Sequence, residues 1–593
     1  MKLSDFVAQF LAAQGVDHVF GVTGGAVVHL FDSVVRRRDI KVVFTHHEQA
    51  AAFAASAFAK AREGLGVAIV TTGPGGTNAI TGLAAAWLDS VPCLFISGQT
   101  RRTHTTEGLP IRQLGTQQLD IVSLVRPLTK SAVMLDKPSS IKFELEKAVH
   151  LARSERPGPV WLDIPLDFQW TEVNPDRLRS YRHPAPRKAS VSAVGRAVQE
   201  VAKALRGSKR PLVLAGGGIR SAGAVQVFNR LVKRSGVPFL TTWNATDYVP
   251  SSYPGCMGRP GIFGQRGANM VPSACDLLVS IGTHIPIPVS GTRADVFAPQ
   301  ARRLVVDIDP DELDHLYVPH HGKFCCDAGK FLRDLEHKLA KANWKAPAQW
   351  RKHCLEFKTL NSPESKSPNP HQFVDPYRLV TEICRVLRSG DSVVVDGGGT
   401  INQIAFQSIL CGLNQRIVIS GALCSMGSGL PESIGVSSAR PRGNTIMLCG
   451  DGSFQFNIQE LQTIIHHKLP IKVFIINNDG YLSIRQTQKS FLKSRYFGSN
   501  SFGGLSLPNT KRIADCYSIP FWRLKNEKLL RYVVKKLMKS KGPSICEVCV
   551  SPSMEIIPRQ GFKKLSNGTF QTCSLDNMFP FLQQETKKTL RIP

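Results

Sequence analysis

Short apolar runs alternate with longer amphipathic or small-residue stretches along almost the whole chain. KVVFT is followed by EQAAAFAASAFAKA, and GVAIVTT by a glycine-rich turn and NAITGLAAAWLD; VPCLFISG and PVWLDIP follow. Strand-length apolar runs separated by helix-length stretches predict β-α units stacked around parallel sheets. A first domain is expected over 1–182, where YRHPAPRKAS reads as a linker. A second, over 190–345, carries the strands RPLVLAGG, PFLTT, CDLLVSIG and RRLVVDID. The stretch 345–372, which contains NSPESKSPNPHQ, is polar and proline-rich enough to be the next linker. A third domain, over 372–555, takes DSVVVDGG, NTIMLCGDG, IKVFIINN and SICEVCV as its strands. The remainder, 556–593, is expected to pack back through its aromatics, with the last ten or so residues loose. The predicted fold class is α/β, three doubly wound parallel-sheet domains. The length of 593 residues agrees, at about 150 residues per domain.

Composition narrows the classes. Hydrophobic residues at 42% and charged residues at 20% are those of a globular protein. Asp5 and Asp17 interrupt the N-terminal apolar stretch, and no run approaches the roughly 18 apolar residues of a membrane span. A soluble chain without signal peptide or membrane partner is expected. The 14 cysteines lie scattered in strand-like runs, which fits a reducing, cytoplasmic setting better than a disulfide framework. Cys546 and Cys549 form a C-x-x-C, but strand alternation sends their sulfurs to opposite faces. The net charge is +29, and residues 481–593 hold 20 basic and 6 acidic side chains, +14 of that total. Such an excess can attract nucleic acid, yet no nucleic-acid motif accompanies it. A solvated basic surface or an anionic small molecule accounts for it equally well.

The clearest chemical signal is GDGSFQFNIQELQTIIHHKLPIKVFIINNDGY, from Gly450. Two strands end at GDG and at Asn477-Asn478, and in a parallel sheet both ends share one edge. Asp451 and Asn478 can therefore converge. A carboxylate plus an amide oxygen suits a hard divalent cation that keeps water and phosphate oxygens as its other ligands. Gly452 and Ser453 open the next helix, whose free N–H groups favour phosphate. Together they describe a clamp for Mg2+ and a diphosphate.

With these motifs the chain resembles the thiamine diphosphate enzymes, the acetolactate synthase large-subunit family in particular. VFGVTGGAV, HHEQAAAFAASAFAKA, TTGPGGTNAITGLAAAWLDSVPCLFISGQT and RPGPVWLDIP extend the likeness through the first domain. The resemblance implies Asp451, Asn478 and the Gly480 carbonyl as Mg2+ ligands. It implies Glu48 as the carboxylate that shares a proton with the cofactor's aminopyrimidine, a role that raised basicity through desolvation would favour. His46 and His47 receive no catalytic role. Met426 matches the apolar wedge under the cofactor, and Cys424 the carbonyl that accepts from its amino group. Gly399 and Thr400 fall where relatives approach the diphosphate. Gly25 and Ala26 would line the active centre, and Gln117 would face the substrate. Because Glu48 and the GDG clamp belong to different domains, which in this family come from different subunits, at least a homodimer is implied. The central domain is similar to the family's FAD domain, with the Gly216-Gly217-Gly218 turn and Asp307. His284 and Pro288, however, replace the family's arginines, and FAD binding is left open.

After decarboxylation of pyruvate or a similar 2-keto acid, the two-carbon unit is either protonated or added to a second carbonyl. Decarboxylase relatives place an acid where this chain has Ile484, and a His-His pair where it has only His104. That favours a carboligase. Thr487 stands where relatives that prefer 2-ketobutyrate carry tryptophan, and the basic stretch QKSFLKSRYF follows. The tail KLSNGTFQTCSLDNMFPFL resembles members associated with surface-polysaccharide synthesis. The keto acceptor is accordingly expected to be a nucleotide-linked keto sugar, with plain acetolactate formation or simple decarboxylation as alternatives. Glu48, Asp451 and Asn478 are all present, which argues against a non-enzymatic basic binding protein.

Overall fold

A computed structural model of the chain describes residues 1–184, 189–361, 371–566 and 568–583. Three parallel sheets follow one another. The first comprises β1 (His18–Gly21), β2 (Lys41–Phe44), β3 (Gly66–Val70), β4 (Cys93–Gln99), β5 (Ala132–Met134) and β6 (Val160–Pro165), in the order β2-β1-β3-β4-β6-β5. The second comprises β7 (Pro211–Ala215), β8 (Phe239–Thr241), β9 (Leu277–Ile281), β10 (Arg302–Asp307) and β11 (Gly322–Cys325), ordered β11-β10-β9-β7-β8. The third comprises β12 (Ser392–Val395), β13 (Arg416–Ile419), β14 (Thr445–Gly450), β15 (Ile471–Asn477), β16 (Phe521–Leu524) and β17 (Ser544–Cys549), ordered β13-β12-β14-β15-β17-β16. Central strands such as β3, β4 and β6 are buried throughout. That is why their sequences read as continuous apolar runs rather than alternating ones. Each sheet has apolar clusters on both faces, as the doubly wound architecture requires.

One cluster is shared. Phe20, Ala68 and Phe95 of the first domain lie in the same apolar core as Ile434, Met447 and Ile475 of the third. The junction is the alanine-rich helix Glu48–Arg62, packed between the helices Pro74–Leu88 and Gly429–Ala439. A helix enclosed on this many sides cannot be amphipathic. Small side chains let the neighbouring backbones come close, and glycine completes the fit. A Cβ on Gly435 would run into the Ala54 carbonyl, and one on Gly82 into the Ala52–Phe53 backbone.

Charged groups tie all three domains at one buried point. Asp247 of the central domain, 1% exposed at its side chain, pairs with Arg220 of its own domain and Arg416 of the third. Arg416 donates to the Lys60 carbonyl at 2.8 Å, and Arg220 pairs with Glu63, both in the first domain. Burial alone would raise the Asp247 carboxyl, but Arg416 and Arg220 hold it below the ordinary carboxylate range. Lys60 bonds Asp89 at 2.7 Å and the Ile419 carbonyl at 2.9 Å.

Two expectations are corrected. The stretch from 345 is not all linker, because Ala348–Thr359 is a helix that buries Trp350, Cys354 and Phe357 in the central core. Its apolar positions recur at i, i+4 and i+7, a helical spacing obscured by the lysines between them. The tail does pack back, but not through its aromatics. Phe562 and Phe570, on the hairpin of β18 (Phe562–Lys564) and β19 (Phe570–Thr572), are 60% and 67% exposed. Met578, Leu575 and Cys573 are buried instead. Arg266 clasps the Met578 and Pro580 carbonyls at 3.2 and 2.7 Å, so main-chain hydrogen bonding anchors this segment. The expected loose end, 584–593, lies outside the described residues. Among the described residues no helix is long and apolar enough to cross a membrane.

Gly435→Val should lower stability by about 1–3 kcal/mol through overpacking. Thermal unfolding would check this, with an unchanged Tm the contrary result.

Candidate active site

In the third sheet the chain passes from β12 outward to β13 and then returns to β14 on the other side. The crevice between the β12 and β14 ends is therefore the topological switch point, where α/β sheets bind ligands. Three turns meet at this edge: Asp396–Gly399 after β12, Asp451–Ser453 after β14 and Asn478–Gly480 after β15.

Asp451 accepts from the Gly452 N–H through Oδ1 and from the Gly480 N–H through Oδ2, each at 2.9 Å. Burial pushes its carboxyl up to about 6, against the lowering influence of the Gly480, Gly452 and Asn478 N–H groups. Asn478 donates to Thr400 Oγ1 at 3.2 Å, while its own buried Oδ1 has no partner among the described residues. A buried amide oxygen left unpaired costs free energy, and a cation would satisfy it. The two asparagines divide the work, since Asn477 turns toward the sheet and donates to Glu547 at 2.8 Å. Gly480, with φ +103°, offers a carbonyl that among the described residues accepts from the Leu482 N–H alone, at 3.1 Å. Among the described residues no group of three or more His, Cys, Asp or Glu side chains is arranged to hold a metal. The donor set here is mixed, with one carboxylate, one amide and one carbonyl. That fits a hard cation completed by phosphate and water.

Two residues that sequence inspection passed over hold this site in shape. Arg485, 7% exposed, donates to the carbonyls of Asn478, Asp479 and Ser499 and so fixes the turn through Gly480. A lone arginine one helical stretch beyond NN carried no signal. Asp396, wholly buried, accepts from Ser453 Oγ at 2.7 Å and from the Gly398 and Gly429 N–H groups at 2.9 and 3.0 Å. The DGGG run was visible, but only its glycines suggested function. These bonds alter the expected phosphate contacts. The Ser453 hydroxyl is engaged by Asp396 and by the Gly427 N–H, and the Gly452 N–H by Asp451. Gly399, at φ +81°, starts the nine-residue helix Thr400–Ser408 at the same edge. Met426 lies against Gly398, where a Cβ would leave it no room, and Cys424 has a positive φ of +53°.

In the first domain Glu48 follows β2 at the head of its helix and is half-buried. His47 caps that helix by accepting from the Gln49 N–H at 3.1 Å, a structural role consistent with assigning it no chemistry. Asn78 Nδ2 donates to Glu48 Oε2 at 2.9 Å, and among the described residues no hydrogen bond is made to Oε1. The residues on either side are gripped by the third domain. Glu460 accepts from the His46 N–H at 3.0 Å, and Asn457 donates to Gln49 at 2.9 Å. Gln117 is exposed, with φ +61°, on a turn packed against Gly73. Gly25 opens a short 3-10 turn with open space around its Cα, and the Ala26 carbonyl is taken by Gln169 at 2.7 Å.

Family models match along the chain: "Thiamine pyrophosphate enzyme, N-terminal TPP binding domain" over 1–124, the central domain of the same enzymes over 198–335, and their "C-terminal TPP binding domain" over 397–548. Three such domains, each on its own parallel sheet, define a thiamine diphosphate-dependent enzyme. The chain is 31% identical over 576 residues to the "Probable acetolactate synthase large subunit" of Methanocaldococcus jannaschii, covering 94% of this chain and 93% of that protein. It is 31% identical over 566 residues to the "Acetolactate synthase large subunit" of Lactococcus lactis subsp. lactis, with the same two coverages. It is 30% identical over 580 residues to "Acetolactate synthase 1, chloroplastic" of Nicotiana tabacum, covering 94% and 83%. The chain belongs to the acetolactate synthase large-subunit family.

Asn478→Leu should raise the Mg2+ concentration for half-saturation by about tenfold or more, with the Tm of metal-free protein little changed. A Mg2+ titration of thiamine diphosphate binding checks it.

Proposed function

We propose that the protein decarboxylates pyruvate or a similar 2-keto acid and transfers the two-carbon unit to a keto acceptor, with Mg2+ held by Asp451, Asn478 and the Gly480 carbonyl. The unpartnered Oδ1 of Asn478, beside a carboxylate fixed by backbone N–H groups, is the observation that carries this reading. Bound thiamine diphosphate supplies a carbon nucleophile and an electron sink for the departing CO2. Glu48 Oε1 holds the proton shared with the pyrimidine ring, and Asn78 fixes the carboxylate so that this oxygen is the one presented. Gln117 and Gly25 would border the substrate, and Met426, which lies against Gly398, and the Cys424 carbonyl would hold the cofactor. Ile484 leaves the acid position of decarboxylase relatives apolar, so water and protons compete less well with an acceptor carbonyl.

The acceptor is read as a nucleotide-linked keto sugar. Lys489, Lys493 and Arg495 are exposed, and among the described residues none of them pairs with a carboxylate. Their arm is pinned beside the cation site, because Gln488 bonds Phe497 and Ser499 at 2.8 Å each, and Ser499 accepts from the Tyr481 N–H at 3.0 Å. A phosphate-bearing acceptor would meet these charges. In the central domain, Asp307, Asp309 and Glu312 stand at the sheet edge, and Arg156 of the first domain pairs with the last two. The Asp307 carboxyl accepts from the Asp309 N–H at 3.0 Å. An Asp at a strand end can hold the ribose hydroxyls of a dinucleotide, no step of the reaction is routed through FAD, and a flavin absorption spectrum of the purified protein would decide whether this domain carries one. All 14 cysteines are free, in keeping with a cytoplasmic protein. A homodimer, with Glu48 serving the partner's cation site, completes the proposal. The exposed Leu109, Ile111 and Leu114 of the first domain and Phe491, Phe497 and Phe502 of the third are apolar surface that a second copy would cover.

Glu48→Gln should retain fold and Mg2+ binding and lose about 10²-fold or more in CO2 release; full activity would exclude it as the proton-sharing group. With pyruvate alone, CO2 release should be slow and acetolactate scant, and rapid acetolactate formation would remove the case for a sugar. Replacing Lys489, Lys493 and Arg495 together by alanine should raise the KM of an anionic acceptor about tenfold and flatten its salt dependence. CO2 release without acceptor should stay unchanged in the same variant.

A further inference from the structure

Behind the Gln117 turn lies a buried polar chain unused by the chemistry above. Asp163 on β6 faces Ser97 on β4 in the parallel register. Its side chain is enclosed, 1% exposed, and among the described residues its hydrogen-bond partners include no cation. Oδ1 accepts from Ser97 Oγ at 2.5 Å, and that oxygen accepts from Trp161 Nε1 at 2.8 Å. Oδ2 accepts from Gln99 Nε2 at 2.9 Å. Burial pushes the Asp163 carboxyl up to about 7, with Ser97 and Gln99 opposing the rise. An enclosed carboxylate is costly unless its oxygens are hydrogen-bonded, and the donors here are Ser97 and Gln99.

Gln99 is the last residue of β4 and is 2% exposed. All four hydrogen-bonding positions of its amide are used. Nε2 donates to Asp163 and to the Leu119 carbonyl at 3.0 Å, while Oε1 accepts from the Thr100 N–H at 3.0 Å and from Thr72 Oγ1 at 2.9 Å. The Thr72 hydroxyl also lies 3.3 Å from the Gln117 carbonyl. The amide thus holds the Gln117 turn directly at Leu119, and the single Thr72 proton is shared between Gln99 Oε1 and, at longer range, the Gln117 carbonyl. The turn needs such support, because Gln117 has a left-handed backbone, φ +61°, without being glycine. The same Thr72 begins the turn that leads into Asn78, the partner of Glu48.

We propose that Gln99, anchored on Asp163, is a positioning residue that sets the Gln117 turn and, through it, the binding of the 2-keto acid. The proposal rests on the reading of Gln117 as substrate-facing. In contrast to Glu48, Gln99 touches neither substrate nor cofactor, so its loss should weaken binding more than turnover.

Gln99→Met keeps the volume and removes the amide. In the enzyme loaded with thiamine diphosphate and Mg2+, the KM for pyruvate should rise about tenfold with kcat changed less than about twofold. In the protein without substrate, amide hydrogen exchange over 113–119 should quicken. Asp163→Ala should reproduce both effects. Asp163→Asn should reverse most of them, since its amide oxygen can accept from Gln99 while its nitrogen donates to Ser97. Thr72→Val, close to isosteric, covers the case in which Gln99→Met does not fold, and should quicken exchange in the same segment. Unchanged exchange over 113–119 in Gln99→Met, or in Thr72→Val in its place, would overturn the proposal. Faster exchange with an unchanged KM would overturn it by a different route, since the turn would then be held by Gln99 but would not serve the substrate.

Discussion

The constraint on which the site depends is the close approach of two helices from different domains, Glu48–Arg62 and Gly429–Ala439. Where Gly435 meets the Ala54 carbonyl there is no room for a single carbon atom. Everything at the head of the first helix inherits that fixity. Glu48 is its first residue, and Glu460 and Asn457 of the third domain hold His46 and Gln49 on either side. Glu48 therefore sits on a helix whose position is set by a backbone contact rather than by adaptable side chains. The proton-sharing role proposed for it requires a carboxylate whose geometry is held this closely.

Polar pairing finishes what close packing begins. Asp247 is buried between Arg220 and Arg416, and those arginines reach Glu63 and the Lys60 carbonyl at the far end of the same helix. The helix is thus held at one end by hydrogen bonds from the third domain and at the other by an ion cluster that includes the central domain. A fully enclosed carboxylate with two guanidinium partners stays ionised, and removing either arginine would leave charge unpaired in the interior. The central domain, which contributes nothing named to the chemistry, takes part here in setting the distance between the other two.

The β-α order and nearly all central strands were legible because parallel strands buried on both faces must be apolar throughout, as in GVAIV and IKVFII. The GDG and NN turns were legible because strand ends in a parallel sheet share an edge. Other features follow from tertiary contact that no local pattern encodes. The helix Ala348–Thr359 was read as linker because its three apolar anchors are diluted by charge. The tail aromatics were expected to be buried, but main-chain carbonyls gripped by Arg266 anchor that segment. Arg485, Asp396 and Gln99 act through carbonyls and N–H groups, which every residue has, so their partners cannot be inferred from residue type. The position of Asn478 at the strand edge beside Asp451 was foreseeable from the parallel sheet. The division of labour between Asn477 and Asn478 was not.

The helix Thr400–Ser408 starts at the glycine turn of the cation edge, and its last turn carries Gln407, which receives the Tyr377 hydroxyl at 2.7 Å and donates to the Pro558 carbonyl. The tail is thereby hydrogen-bonded to the last turn of a nine-residue helix whose first residue follows the Asp396–Gly399 turn, so the carboxyl-terminal strap, though it lies on the central domain, is one helix length from the switch-point crevice of the third sheet.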